Sequence, residues 1–402
     1  MNLNQATLDF IRLHQGEDPL SLSLRFARKA PEDVDMSLAL MQIGAYKKAV
    51  SKLPWLLSMP SFIFPDTLSA EQCTAWPVAL YHASVAGAPD SVLDITCGLG
   101  VDLMSVASRA VRVRGCDISP THVECLCYNL KARGMDGCRI DCTDARSLLM
   151  GLAPDERFDI VFADPARRSG SGARTYALAD CSPDITELLP LIRACADRLL
   201  LKVSPMLDVK MLTSQLPMAT HVHAVSLRGE CKELLVDCDF RLPGLQRSYS
   251  AANINAAGEV SVFTFYGDAP YAPVPLADDS DLDSAAWLFE PDASMMKFIH
   301  MAPMAERWPM LRKLGANTHL FTGSGVVPHG LPGRVLRIME MWPSYRHCAG
   351  KLPAHINVVT RNFPDTPDQV RKKLKIKDGG TDFLYCCRMG DKRLRLFLCR
   401  LA

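Results

Sequence analysis

The 402-residue chain lacks several features that would assign it quickly to a class. No run approaches the roughly 18 uncharged apolar residues of a membrane span, so no membrane partner is expected. There is no Cys-x-x-Cys pair: the closest cysteine spacings are Cys125/Cys127, Cys138/Cys142 and Cys386/Cys387. The ten histidines show no ligand spacing either, with His221 and His223 alternating in one strand without a third partner. No metal site is therefore expected. The start, Met1-Asn2-Leu3-Asn4, has no basic region followed by an apolar stretch, and the 15 cysteines are odd in number. Both argue against a secreted disulfide framework and for a cytoplasmic protein with reduced thiols. Internal repeats and low-complexity segments are missing too. Net charge is nearly absent, at +1 from 45 basic and 44 acidic residues, but it is unevenly spread. Residues 351–402 hold 12 Lys and Arg against 5 Asp, a net of +7, which leaves −6 for the remainder. A basic module on a mildly acidic body is the pattern of one part that docks a phosphate backbone and another that does chemistry.

What is present reads as a succession of modules. Residues 1–88 are helical in pattern, with helices predicted over 22–30 and 37–53 and a third starting at Ser69, with Gln72 at the capping-box position. From residue 91 the rhythm changes to short β-rich runs at 92–95, 111–116, 138–141, 159–163 and 199–203, alternating with helical stretches. That alternation predicts an α/β fold with a parallel sheet and crossover helices. Two further strands, 221–227 and 233–239, suggest an antiparallel edge. Beyond a polar break at 278–281, strands are predicted at 286–289, 318–322, 334–342, 355–361, 383–389 and 393–399, with helices at 293–301 and 367–374.

The first strand runs into Thr96-Cys97-Gly98-Leu99-Gly100-Val101-Asp102 and then a helix, so two glycines occupy a nucleotide-binding turn. A dinucleotide fingerprint requires Gly or Ala at position 103, where this chain has Leu103. Asp117 ends the second strand about 20 residues on, suited to ribose hydroxyls, and Asp144 follows the third, suited to an adenine amine. Both NAD and S-adenosylmethionine would use the ribose carboxylate. The fourth strand separates them: Phe158 to Ala163 ends in Asp164-Pro165-Ala166-Arg167-Arg168. A carboxylate and a rigidly held carbonyl at that point can accept hydrogen bonds from an exocyclic amine and aim its lone pair at a sulfonium methyl. Asp164 and Pro165 are the expected catalytic pair. Arg167, Arg168 and Arg174 are candidates for a substrate phosphate. Lys202, at the end of the fifth strand, together with Glu230, Lys232 and Glu233 on a following loop, is expected at the same carboxyl edge, and Gln72 is expected to cover the cofactor.

These residues resemble the class I S-adenosylmethionine-dependent methyltransferases, and within them a bacterial group with an Asp-Pro-Ala-Arg-Arg motif and a C-terminal THUMP-like domain. The similarity is carried by Asp94 to Asp102, Asp164 to Arg168, Asp180 to Asp184, Lys202 to Asp208, Glu230 to Glu233, and Arg361-Asn362-Phe363-Pro364 with the Lys-rich segment after it. The resemblance implies a Rossmann-like sheet over 89–240 behind the N-terminal helical region 1–88. After a linker or edge segment at 241–282 it implies a ferredoxin-like module at 283–326 and a THUMP-like α+β module at 330–402. It implies S-adenosylmethionine as cofactor, with Asp94, Thr96, Gly98, Gly100, Asp102, Asp117 and Asp144 around it. The motif is also similar to the Asp/Asn-Pro-Pro-aromatic motif of amino-directed nucleic-acid methyltransferases, but Ala166 and Arg167 replace the second proline and the aromatic residue. RNA, tRNA or rRNA, is the expected partner, held by Arg371, Lys372, Lys373 and Lys375; Phe363 and Tyr385 stand where bases could stack, but core packing is the stronger expectation for each. A small-molecule methyltransferase and a non-catalytic RNA-binding protein stand as alternatives.

Overall fold

A computed structural model of the chain describes residues 4–59, 61–167, 178–242, 244–267, 271–300, 303–390 and 392–402. The chain forms two compact units, Met1–Val222 with Glu233–Gln246, and His223–Lys232 with Arg247–Ala402.

In the first unit, α1 (Gln5–His14), α2 (Pro19–Phe26) and α3 (Met36–Ala49) bury a small core of Phe10, Ile11, Leu22, Ala39 and Ile43. Each starts on an Asn or Asp side chain, at Asn4, Asp18 and Asp35, that accepts an otherwise unpaired amide. The next helix, α4 (Thr67–Gln72), begins at Asp66 rather than Ser69: the Asp66 carboxylate accepts the Ser69 amide at 2.6 Å. An ionised acceptor at the positive end of the helix outcompetes the serine hydroxyl three residues later. Then α5 (Trp76–Ala86) leads into the sheet.

The sheet elements are β1 (Ser91–Asp94), α6 (Val101–Val106), β2 (Arg112–Asp117), α7 (Pro120–Ala132), β3 (Arg139–Cys142), α8 (Ala145–Met150) and β4 (Phe158–Ala163). The short pair β5 (Ala166–Arg167) and β6 (Cys181–Ser182) precedes α9 (Ile185–Cys195), β7 (Ala196–Val203), α10 (Val209–Gln215), β8 (His221–Leu227) and β9 (Glu230–Asp239). Within the first unit the order is β9-β7-β4-β1-β2-β3, all parallel except β9. The central strands are apolar on both faces, as helix-covered parallel strands must be: Val92, Leu93, Ile160, Val161, Phe162, Leu199, Leu200 and Leu201 are buried. Chain order reverses between β1 and β4, and a cleft opens beyond the carboxyl ends of strands at such a reversal.

The second unit contains β10 (Ser248–Ile254) and β11 (Val260–Tyr266), an antiparallel pair. Residues 241–282 are thus more than a linker, because Phe263 and Phe265 alternate inward along β11; the Ser, Ala and Asn residues of β10 gave little strand signal. Next come α11 (Asp279–Asp283), β12 (Trp287–Pro291), α12 (Ala293–Met296), α13 (Met304–Arg307), β13 (Arg312–Gly315), β14 (Thr318–Gly323) and β15 (Gly333–Trp342). The chain closes with α14 (Tyr345–Cys348), β16 (Asn357–Arg361), α15 (Pro367–Leu374), β17 (Asp382–Arg388) and β18 (Leu394–Leu401). These strands form one seven-stranded sheet, β13-β14-β12-β15-β18-β17-β16. The pairing of β12 with β15 carries that sheet across the boundary expected between a ferredoxin-like and a THUMP-like module.

Two buried side-chain amides hold the segment ahead of α4 in the first unit. Gln42 exchanges hydrogen bonds with the Phe64 amide and carbonyl, and Asn129 of α7 does the same for Ile63, at 2.9 and 2.8 Å. Asn129→Ala leaves both Ile63 groups buried without partners, so urea unfolding is expected to show a loss of about 2–5 kcal/mol; a change under 1 kcal/mol would show that water replaces the amide.

Candidate functional site

A cavity of about 470 Å³ lies at the carboxyl edge where β1 and β4 separate. Its wall begins with the glycine turn after β1. Gly98 and Gly100 have φ of +52° and +81°, left-handed values that side chains disfavour, and a Cβ on Gly100 would collide with Leu126 of α7. The turn thus presses against α7 while its other side faces the cavity. Asp94, Thr96, Gly98, Gly100, Asp102, Asp117, Asp144 and Asp164 all line this one space, as does Gln72. Ser69, Thr74 and His122 join them.

Each carboxylate has its own environment. Asp117 accepts the Gly98 amide at 2.9 Å and the Ser119 amide at 2.8 Å, with His122 Nδ1 at 3.6 Å. Burial works to raise its pKa, but His122 and these amides outweigh burial and hold it below the usual carboxylate range. Asp144 caps α8 through the Ser147 amide and hydroxyl, so its cap role and its place in the cavity wall coincide. Asp94 is buried beneath the turn and accepts the Thr96 amide at 2.9 Å; burial, with Asp102, Asp164 and Asp117 nearby, pushes it up to about 8. The Thr96 hydroxyl in turn accepts the Asp164 amide at 2.6 Å, which ties the end of β4 to the glycine turn.

Behind the wall runs a buried charge network. Asp164 Oδ2 accepts from Lys202 Nζ at 2.7 Å, and Lys202 also donates to the Thr74 hydroxyl at 2.8 Å. Thr74 donates to Asp102 Oδ2 at 2.6 Å, and Asp102 Oδ1 lies 2.9 Å from His82 Nδ1. His82 Nε2 is hydrogen-bonded to Glu233. With a carboxylate on each ring nitrogen and its side chain fully buried, His82 is an imidazolium. Burial opposes that charge, but Glu233 and Asp102 push its pKa up to about 10. Burial likewise raises Asp102, yet Lys202, His82 and Thr74 together hold it far below its ordinary value. Burial sets Asp164 above the usual carboxylate range, Lys202 pulling it down and Asp102 and Glu233 pushing it up.

Several expected residues stand elsewhere. Pro165 is buried and outside the cavity's described lining, so it shapes the wall behind Asp164. Lys202 is a buried counter-ion behind the lining. Glu230 and Lys232 begin β9 and pair with each other at 2.5 Å on the surface, instead of forming a loop at the cavity; only Glu233, buried, reaches the network. The alternating strand pattern of this segment was hidden by its charges. Arg167 lies in β5, while Arg168 and Arg174 lie outside the described residues. In the second unit, Arg371 is bound to Asp368 and Asp378, and Lys373 to Asp365. Lys372 and Lys375 are exposed without an ion pair among the described residues. The helix ends at Leu374 with Lys375 left-handed, so Lys377 leaves the helical face shared with Lys373. Tyr385 is buried against Glu290 and Arg334, which removes it as a stacking platform, while Phe363 is half-buried and packs on Tyr345 against the core. Thr74, His82 and His122 were missed by sequence reasoning. A histidine in the otherwise apolar α5 was the available signal for one of them.

Two family models match the chain, a methyltransferase domain over residues 92–179 and a THUMP domain-like module over 333–401. An uncharacterised S-adenosylmethionine-dependent methyltransferase of Mycobacterium tuberculosis is 30% identical over 281 residues, 68% of either chain. The crystal structure of a candidate methyltransferase from Porphyromonas gingivalis W83 superposes over the whole of both chains with a TM-score of 0.86 at 26% identity. A 23S rRNA (uracil(1939)-C(5))-methyltransferase of Colwellia psychrerythraea is 36% identical over 88 residues, 21% of this chain and 19% of that protein.

The His82 pairing fixes the sign of a pH dependence. Its pKa is raised on folding from 6.5 to about 10, so its stabilisation is complete below pH 6.5 and is lost as pH rises through about 10. His82→Gln leaves two buried carboxylates without their cation, an expected loss of about 3–5 kcal/mol at pH 7. The gap in melting temperature from the parent protein should narrow steadily as pH is raised towards 10; a gap that is constant over pH 7–10 would mean the ring is neutral.

Proposed function

The chain belongs to the S-adenosylmethionine-dependent methyltransferases, and from that premise we propose that it methylates a base nitrogen in structured RNA, tRNA or rRNA, in the cytoplasm. We place it with the bacterial group that carries the Asp-Pro-Ala-Arg-Arg motif, and divide it as expected from sequence at 89–240 for catalysis and 330–402 for RNA. The observation that carries the reading is Asp164, set by β4 into an acidic cavity beside the glycine turn.

The cavity suits the cofactor by size and by charge. Its volume falls within the roughly 300–1,000 Å³ of small-molecule sites. Five aspartates line it, of which Asp94, pushed up to about 8, is mostly uncharged at neutral pH, and no Lys or Arg stands among its described residues, His122 being held by Asp117. That composition favours a ligand with cationic and hydroxyl groups and disfavours a pyrophosphate, and the Gly98 amide that a phosphate would want already serves Asp117. S-adenosylmethionine, when bound, supplies an electrophilic methyl group on a sulfonium. Asp117 would hold its ribose hydroxyls and Asp144 its adenine amine, and the glycine turn would permit close approach. Asp164, ion-paired with Lys202, would accept an N–H of the acceptor nitrogen and orient its lone pair. It would take the proton released when the new N–C bond forms as the sulfonium S–C bond breaks and its electron pair stays on the departing sulfur.

RNA as acceptor is supported by the THUMP-like module, by the +7 charge of residues 351–402, and by the partial likeness to an rRNA methyltransferase. Arg167, Arg168 and Arg174 are assigned to a substrate phosphate. Lys372 and Lys375, which have no internal partner among the described residues, are assigned to the RNA backbone, with Arg371 and Lys373 beside them.

Mass spectrometry of modified nucleosides in total RNA from cells with and without the gene tests the reading: one methylated nucleoside should vanish, and an unchanged profile would point to a small-molecule acceptor. Asp164→Asn should lower methyl transfer about 10²- to 10⁴-fold while S-adenosylmethionine affinity by calorimetry stays within twofold; full turnover would remove Asp164 from its role. The double reversal Lys372→Glu/Lys375→Glu spares the internal ion pairs. It should weaken tRNA binding and reduce the slope of log affinity against log salt by about 1–2, whereas unchanged binding would free this helix of RNA.

A further inference from the structure

We infer that Thr74, on the connection between α4 and α5, and His82 of α5 are positioning residues of the transfer site: they direct the short hydrogen bond of the Lys202 ammonium to Asp164 and leave Asp102 at the longer ion-pair distance. The inference deepens the reading of Asp164 as acceptor of the amine proton and rests on it.

Two carboxylates compete for Lys202. Its Nζ lies 2.7 Å from Asp164 Oδ2 and 3.6 Å from Asp102 Oδ2. A lysine on its flexible stem has no inherent preference between two such neighbours, and Asp102 is the deeper of the two, with 13% of its side chain exposed against 40% for Asp164. In a drier place the attraction to a cation is stronger, so Asp102 should win. It holds Lys202 only at the longer ion-pair distance, because both its oxygens are already served. The Thr74 hydroxyl has one proton and gives it to Asp102 Oδ2 at 2.6 Å. Its lone pairs then face the ammonium, which donates to them at 2.8 Å. The other oxygen, Oδ1, is taken by His82, held from behind by Glu233. Lys202 therefore retains a short bond to Asp164 alone among the carboxylates.

The direction of the consequence follows from what else faces Asp164. Lys202 comes from β7, Asp102 from α6, Glu233 from β9 and Asp94 from β1, with His82 beyond Asp102. Lys202 is the one close cation in this set. If it moves to Asp102, Asp164 is left among carboxylates and must bind its proton more tightly.

The test is the titration of the Asp164 carboxyl carbon by 13C NMR in the ligand-free full-length protein, with the resonance assigned from Asp164→Asn. Thr74→Val, which keeps the shape and removes the hydroxyl, should raise the Asp164 midpoint by about 1 pH unit or more, and Thr74→Ser should return it to the parent value. Lys202→Met sets the upper limit, an opposite charge at this distance being worth about 1–3 units. His82→Gln should move the midpoint the same way. Should Thr74→Val or His82→Gln not fold, Thr74→Ala against Thr74→Ser decides. A folded Thr74→Val or Thr74→Ala protein with the parent midpoint overturns the inference. In an active assay, the acid limb of the pH–rate profile should move with the midpoint. Failure of the functional reading is separate: full activity in Asp164→Asn would end that reading while the ligand-free titrations would still report whether Thr74 and His82 direct Lys202.

Discussion

Two cations and three carboxylates meet under the carboxyl edge of the first unit's sheet: Lys202, His82, Asp102 and Glu233 in a poorly hydrated volume, and Asp164 where that volume opens into the cavity. Removing such groups from water costs several kcal/mol per ion, and only mutual attraction with good hydrogen-bond geometry offsets it. The five charges come from α5, α6, the end of β4, β7 and β9, so no one of these elements can shift without exposing a neighbour's charge to a partnerless interior. This explains why the N-terminal helices belong to the same compact unit as the sheet. The helix α5 and the connection leading into it supply His82 and Thr74 to a network that the strands cannot complete. The amide pairs of Gln42 with Phe64 and Asn129 with Ile63 reinforce that attachment through neutral groups.

The sign of charge sets the cavity apart from the C-terminal segment. The cavity is lined by carboxylates, and its nearest lysine stands behind Asp164 and is fully engaged. Attraction to a polyanion cannot arise from such a lining. The C-terminal segment carries the opposite sign, though only part of it is available: Arg371 and Lys373 are compensated by Asp368, Asp378 and Asp365. Charge counted along the sequence overstated what α15 can offer a phosphate backbone, and the surplus rests on residues such as Lys372 and Lys375.

Legibility in the sequence followed the range of the interactions involved. The strand ends and the glycine turn are local: an apolar run followed by Gly-x-Gly or by Asp-Pro announces its own geometry, so Asp94, Asp117, Asp144 and Asp164 were all read before any fold was known, and all meet in one cavity. The helix over Pro367–Leu374 was read to the residue because its cap, proline and turn are consecutive. Contacts between distant segments left no such trace. His82 and Glu233 are 151 positions apart, and Lys202 and Thr74 are 128 apart. Charged residues at Glu230 and Lys232 disguised the start of a strand as a loop. Phe363 and Tyr385 read more readily as core than as stacking platforms, and the structure buries Tyr385 fully and Phe363 in part.

A carboxylate meant to take a proton during a reaction must satisfy opposed demands. It has to be ionised beforehand, or it has no lone pair to offer an N–H, and it must not be so stabilised that protonation is prohibitive. Asp164 is placed between these limits by its neighbours. Burial, Asp102 and Glu233 make its negative charge costly, while one lysine at 2.7 Å makes it tolerable. Asp102, a few ångströms away, has the same chemistry with an imidazolium and a hydroxyl added, and its pKa is driven far down. Identical side chains thus hold a proton with different affinity, and the difference lies in the imidazolium of α5 and the Thr74 hydroxyl that Asp102 has in addition to the lysine it shares with Asp164; the proposed role of Asp164 as a base rests on that difference.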